Sequence, residues 1–398
     1  MFVFACAGCG SRLTVPLSQV ALPTHAHQKY GNGIRLPVLM ESGTFAVEPE
    51  PWGPPWRRWE EVTPEEATAR GIHAAVYSLS DGAPGSIVIA PGDSRGMVFL
   101  PEEGGGYCCG LAWGDGPNMA CEACGVPVAS RIDDCSLWQA VWLAPDAVRR
   151  LPADDTDTGT GTGPGSAFGS GSGSGPAPLG WAELLADEYG TPPVEPVVSW
   201  ASARGMDHWW SWSPQWEAAA GQALAHMLAA SDGRSVTVPP GLTSEVFRRA
   251  LDALLPAVLP ARRAVLAGPG LPAPGPDADM LLVPMHPQTG ELWSPADAAD
   301  PPAPVDQVDR AAAAYRVPLP FGVWIRMAYP EPRLRLPAPG AIPAGVLRDD
   351  PPAPRPRHPF RIDSGTFERT LVRLPAVRSD WLHDILENLT HHMCAGLF

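Results

Sequence analysis

Apolar positions in the first 150 residues fall in short runs, not in helical stripes. Ala74–Tyr77, Ser86–Ala90 and Met97–Leu100 are bounded by Gly, Pro, Asp and Ser, the punctuation of strands and turns. The stretch 64–70 is different. Thr63 precedes Pro64, and Glu65 and Glu66 fill the next turn. That predicts a short helix, because a threonine oxygen accepts from the unpaired N–H groups and acidic side chains suit the positive end. Leu137–Leu143 is apolar but for Gln139 and fits strand or helix.

Beyond residue 179 the period lengthens. Ser213-Pro214 opens a helix whose face is Trp216, Ala220, Ala223, Leu224, Met227 and Leu228. A second helix from Thr243 carries Val246, Phe247, Ala250, Leu251, Leu254 and Leu255 up to Pro256, and a last one from Asp380 carries Leu382, Ile385, Leu386, Leu389 and Met393. Strands are predicted at Arg263–Ala267, Met280–Val283 and Val323–Ala328, separated by proline-rich connections at 294–304 and 330–357. Between the halves, Asp154, Asp155 and Asp157 lead into Gly/Thr and Gly/Ser repeats with Phe168 as the sole large apolar residue. Such a segment buries too little surface to offset its ordering entropy. It reads as a flexible linker with a span of about 25–30 Å. The expected fold class is α+β: a mainly-β zinc-ribbon or β-tent-like domain at 1–151, a disordered linker at 152–178, and an α+β domain of unknown role at 179–398.

Composition changes this picture in one respect. The 28 basic residues include a single lysine, Lys29, so 27 are arginine, beside 49 Pro and 41 Gly. The bias is that of a high-GC, actinobacterial genome, and it has chemical consequences. A P-loop, a protein kinase and a pyridoxal enzyme each need a lysine in a defined setting. The neighbours of Lys29, His27, Gln28, Tyr30 and Gly31, match none of them. A net charge of −15, with no basic run longer than Arg57-Arg58 or Arg149-Arg150, argues against nucleic acid as partner. The N-terminus lacks a signal-peptide pattern and no stretch reaches the length of a membrane span. The expectation is a cytoplasmic protein with no membrane partner and with reduced thiols.

Eight cysteines in that setting direct attention to metal chemistry. Cys6-Ala7-Gly8-Cys9-Gly10 and Cys121-Glu122-Ala123-Cys124-Gly125 are two copies of C-x-x-C-G. Two intervening residues let both thiolates reach one ion, and the glycine permits a tight turn whose amides donate to sulfur. Two such turns complete the closed four-thiolate shell of structural zinc. A redox dithiol would need a βαβ setting, which neither pair has. The 111 residues between Cys9 and Cys121 are no barrier, since each doubling of loop length costs only about 0.6 kcal/mol. Phe2–Ala5 and Leu13–Val15 flank the first pair as candidate hairpin strands.

Further candidates are a thiol site of Cys108, Cys109 and Cys135, and an aromatic binding patch of Trp209, Trp210, Trp212 and Trp216. Small buried residues and core packing are the plainer uses of each. Asp133 and Asp134 beside Cys135 disfavour a reactive thiolate. His383, Glu387 and His391 line one side of the last helix without a metalloprotease pattern, and His25 and His27 read as a surface strand. No nucleophile, base and orienting group assemble from local sequence.

The strings Cys108–Leu111, Asp115–Asn118, Cys121–Gly125, Arg131–Cys135 and Trp138–Val141 resemble an uncharacterised actinobacterial family across the first domain, a resemblance that implies no activity. Two widely separated C-x-x-C pairs joining hairpins also resemble β-tent zinc proteins: Yippee-type proteins, cereblon-type ligand domains and B-class methionine sulfoxide reductases. That resemblance implies metal ligation by Cys6, Cys9, Cys121 and Cys124. The reductases add a catalytic cysteine farther from the second pair than Cys135 stands. The expected function is a zinc-stabilised, non-catalytic protein-interaction or regulatory protein with a protein partner. The alternative is a β-tent-type thiol enzyme using Cys135 or Cys108/Cys109, and a third reading is a small-ligand binder with a tryptophan-lined pocket.

Overall fold

Phe2, Phe4 and Cys6 alternate with smaller residues and form the first strand of an α+β fold. The computed structural model describes residues 1–31, 33–101, 110–112, 116–153, 177–187, 190–202, 205–297, 314–330, 356 and 358–398, with only the backbone path at 198–208. Most of the predicted linker, most of both proline-rich connections, and Cys108 and Cys109 lie outside the described residues. The chain divides into two units. One comprises Met1–Val62, Tyr77–Pro178 and Val197–Trp209, and the other Thr63–Val76, Leu179–Pro196 and Trp210–Phe398.

In chain order the strands of the first unit are β1 (Phe2–Cys6), β2 (Ser18–Gln19), β3 (Ile34–Arg35), β4 (Thr44–Glu48), β5 (Trp56–Arg58), β6 (Ser78–Ser80), β7 (Ser86–Ile89), β8 (Met97–Phe99), β9 (Met119–Cys121), β10 (Pro127–Ile132), β11 (Ala140–Leu143) and β12 (Val148–Pro152). Seven make one sheet in the order β2-β4-β7-β11-β10-β9-β8, and β1 pairs with β12 in a separate antiparallel ladder. Side chains of the large sheet alternate between two cores. Phe45, Ile87, Ile89, Val141 and Leu143 face one, together with Phe4, Leu13 and Leu17. Ala46, Val88, Ala140 and Trp142 face the other, with Leu36, Met40 and Trp138. Of the ambiguous stretch Leu137–Leu143, Ala140–Leu143 is therefore strand. Ala74–Tyr77 is not: Tyr77 is 91 % exposed and pairing begins at Ser78. A hairpin of β13 (Val194–Ser202) and β14 (Gly205–Trp212) adds to β3.

The second unit holds the predicted capped helix, α1 (Pro64–Ala69), with Thr63 Oγ1 accepting from the Glu66 N–H. It continues with α2 (Trp181–Asp187), α3 (Pro214–Ser231), α4 (Leu242–Leu254), α5 (Phe321–Ala328), α6 (Ser364–Leu371), α7 (Asp380–Glu387) and α8 (Leu389–Cys394). Its parallel sheet runs β15 (Val236–Thr237), β16 (Arg262–Leu266), β17 (Met280–Met285), β18 (Tyr315–Pro320). The near-continuous apolar run of β17 is that of a strand covered on both faces. Helix α3 is buried on most sides and packs on α6. Gly221 makes that approach available, since a Cβ there would lie 2.6 Å from the Asp363 carbonyl oxygen. Two expectations are corrected. Val323–Ala328 belongs to helix α5, and the strand lies just before it at Tyr315–Pro320. Pro318 and Pro320 are accommodated in that strand because β18 lies at an edge of the sheet. The last predicted helix divides at Asn388 into α7 and α8. Among the described residues no helix is long and apolar enough to cross a membrane.

Candidate metal centre

Both C-x-x-C-G motifs sit at strand ends, because each glycine adopts a backbone conformation closed to most residues. Gly10 has φ +79° and Gly125 φ +74°. In the first turn the Gly10 N–H donates to the Cys6 carbonyl and the Cys6 N–H to that of Ser11, at 2.9 and 2.8 Å. In the second the Gly125 N–H donates to Cys121 and the Cys121 N–H to Val126, both at 2.8 Å. The two turns are copies of each other in hydrogen bonding as well as in sequence. The second caps the β9–β10 hairpin. The first follows β1, whose chain returns through the Ala5–Arg12 bridge.

Long-range pairing brings these turns together. Cys6 stands opposite Val148 on β12, and the Ala7 N–H donates to the Ala147 carbonyl at 2.9 Å. Cys121 stands opposite Met97 on β8, and the Glu122 N–H donates to Gly96 at 2.9 Å. The four sulfurs converge within 4.8 Å of one another. Cys6 Sγ is 3.6 Å from Cys124 Sγ, and Cys9 Sγ is 3.6 Å from Cys121 Sγ. A tetrahedral ion with bonds of about 2.3 Å to sulfur has sulfur–sulfur edges of about 3.8 Å. Disulfide sulfurs stand about 2.05 Å apart, so the four thiols are unbonded to one another and spaced as a metal ion requires. Cys6 and Cys121 are buried, whereas Cys9 and Cys124 face outward.

Electrostatics within the cage are asymmetric. The side chain and backbone of Ser11, with Cys124, hydrogen-bond the Cys9 sulfur and hold its pKa down at about 6. At Cys124 the Val126 amide pulls the pKa down, but the Cys9 hydrogen bond, desolvation and the other two thiols push it up to about 12. Crowded thiols share protons this way, and a bound cation removes the conflict by favouring every thiolate.

The remaining candidates separate. Cys135 is buried, with Sγ 3.9 Å from Ser136 Oγ, and is not among the clustered sulfurs. Trp212 and Trp216 serve the core. Their indole N–H groups donate to the carbonyls of His358 and Thr191, at 3.1 and 3.0 Å, and Trp216 is fully buried. Trp209 and Trp210 are 39 % and 42 % exposed. His383 and Glu387 form an exposed pair at 3.3 Å. A polar cluster escapes local reading: His27 pairs with buried Glu48 while its ring lies 3.9 Å from Trp52 and 5.7 Å from Trp142. His25 packs 4.3 Å from Trp138 in place of standing on a surface strand. The available signal was the tryptophan-rich flank of 48–59, which names no histidine partner.

Comparisons of the chain with family models, curated proteins and solved structures give no match.

Proposed function

We propose that Cys6, Cys9, Cys121 and Cys124 hold one structural zinc ion, and that the chain is a zinc-stabilised protein-interaction or regulatory protein acting without catalysis. The observation carrying this reading is the convergence of two hydrogen-bonded turns onto one four-sulfur cage. Four thiolates satisfy tetrahedral zinc completely, and a closed shell has no position for substrate or activated water. The role is then to join the chain's first strand to the β9–β10 hairpin, as in β-tent and zinc-ribbon proteins. Exposed Trp209 and Trp210 are of the residue type enriched at interface hot spots.

Metal analysis of the purified protein is expected to give one zinc per chain, and cobalt replacement the visible bands of tetrahedral thiolate coordination. Cys6→Ser and Cys121→Ser are expected to abolish both signals. A protein that is folded, metal-free and unresponsive to added zinc would sink this reading. The competing thiol-enzyme reading rests on Cys135, whose burial withholds it from substrates, or on Cys108 and Cys109, which lie outside the described residues. Thiol titration of the metal-loaded chain separates the two, since a fast-reacting cysteine at neutral pH would favour the enzyme.

A further inference from the structure

The two turns of the metal centre present their cysteines alike. The first cysteine of each motif, Cys6 or Cys121, is buried, and the second, Cys9 or Cys124, is exposed. Close contacts between sulfurs run across the centre. Cys9 Sγ is 3.6 Å from Cys121 Sγ, and Cys124 Sγ is 3.6 Å from Cys6 Sγ. Each outward sulfur therefore has a buried sulfur of the opposite turn beside it.

A closed shell of four thiolates excludes substrate, but its sulfurs remain oxidisable, and the exposed pair meets solutes first. A peroxide converts one outward thiolate to a sulfenic acid. The S–O bond forms, the O–O bond breaks, and one hydroxide leaves. The neighbouring thiolate then attacks that sulfur, forming the S–S bond and expelling a second hydroxide. Two thiolates and one peroxide thus give one disulfide and two hydroxides, with two electrons passing from sulfur to oxygen. Loss of two thiolates leaves too few ligands to retain a tetrahedral zinc ion.

The pairing decides what oxidation does to the fold. A disulfide within one C-x-x-C turn ties nothing distant together. Links from Cys9 to Cys121 and from Cys6 to Cys124 span 112 and 118 residues. They join the turn after β1 to the β9–β10 hairpin, and the stabilisation from a cross-link grows with the loop it closes.

We propose that the centre is a site of reversible oxidation by peroxides, in which the disulfides Cys9–Cys121 and Cys6–Cys124 replace the ion and keep the two turns fastened. The inference rests on the zinc reading and adds regulation to it, since zinc is released under oxidation while the first unit stays folded.

The test uses the purified full-length protein, assayed for zinc and then treated with hydrogen peroxide beside an untreated control. Release of one zinc per chain is expected, reversed by dithiothreitol with added zinc. Tandem mass spectrometry of digests is expected to show Cys9–Cys121 and Cys6–Cys124. Hydrogen exchange of the oxidised, zinc-free protein is expected to keep the protection of β1, β9, β10 and β12 that the reduced, chelated protein loses. Exposed Cys394 serves as the internal gauge that oxidant has reached the thiols. The proposal is overturned if zinc stays bound once Cys394 is oxidised, or if the links form within a turn or between Cys9 and Cys124. Loss of protection in those strands on oxidation overturns it as well. A chain purified without zinc that takes up none would instead defeat the zinc reading, and the disulfide map of that metal-free protein would still decide the pairing.

Discussion

Gly125 shows how far one residue constrains the centre. At φ +74° a side chain costs roughly 1–2 kcal/mol in the left-handed region. Gly125→Ala is therefore expected to lower the thermal midpoint of the metal-loaded protein and weaken metal affinity, and a midpoint equal to the parent's would contradict it. Gly10, at φ +79°, is predicted to behave alike. His25 gives a pH dependence. Burial against Trp138 lowers its pKa to about 3, against an ordinary value near 6.5. The folded state excludes a proton that the unfolded chain accepts, so stability is undiminished above about pH 6.5 and falls as pH drops toward 3. The loss is on the order of 3–5 kcal/mol at the acid end. Acid also releases thiolate-bound metal, so the measurement is the difference between parent and His25→Phe in urea titrations from pH 7 to 4. Identical slopes would remove His25 from the account. The cysteines were legible because a C-x-x-C-G turn is a local object. The His27–Glu48 pair was not, because its partners stand on separate segments joined only by the sheet.

At the scale of elements, local chemistry and tertiary burial made different things readable. The α1 cap was visible in Thr63-Pro64-Glu65-Glu66 because its hydrogen bond spans three residues. Thr63→Ala is expected to cost about 1 kcal/mol, read as a shift in the urea midpoint at constant slope. Helix α5 was misassigned because Val323, Trp324 and Ile325 are three consecutive buried residues, and a short apolar run does not distinguish strand from helix. The contact between α3 and α6 was likewise silent in sequence. Gly221→Val is expected to destabilise the protein by about 1–3 kcal/mol or more, because its side chain would meet the Asp363 carbonyl and the Phe367 amide. Gly221→Ala should fall between parent and Val, and a reversed order would mean that the helices separate at little cost.

For the whole molecule, the metal centre is predicted to act as a fastener of the first unit. Hydrogen exchange after chelation is expected to show lost protection in β1, β9, β10 and β12, while β16 and β17 of the parallel sheet keep theirs. Uniform loss, or none, would refute that division. The exchange of segments between units was beyond linear reading. Thr63–Val76 packs with the second unit, where the His73 N–H donates to the Val372 carbonyl at 2.7 Å, and Val197–Trp209 packs with the first. No composition shift marks either excursion, because each segment is recruited by strand or helix partners far away in the chain.

Sequence alone determined what short-range geometry dictates: the two cysteine turns and their glycines, the capped helix α1, the apolar strands at Ser86–Ile89 and Met280–Met285 and the α+β class. The tertiary structure decided what depends on distant partners. It closed four sulfurs into one cage, buried Trp212 and Trp216, and laid Arg150 across two phenyl rings. The division is physical, since a turn or cap is stabilised within a few residues, whereas burial and convergence are set by the ladder that brings remote segments side by side.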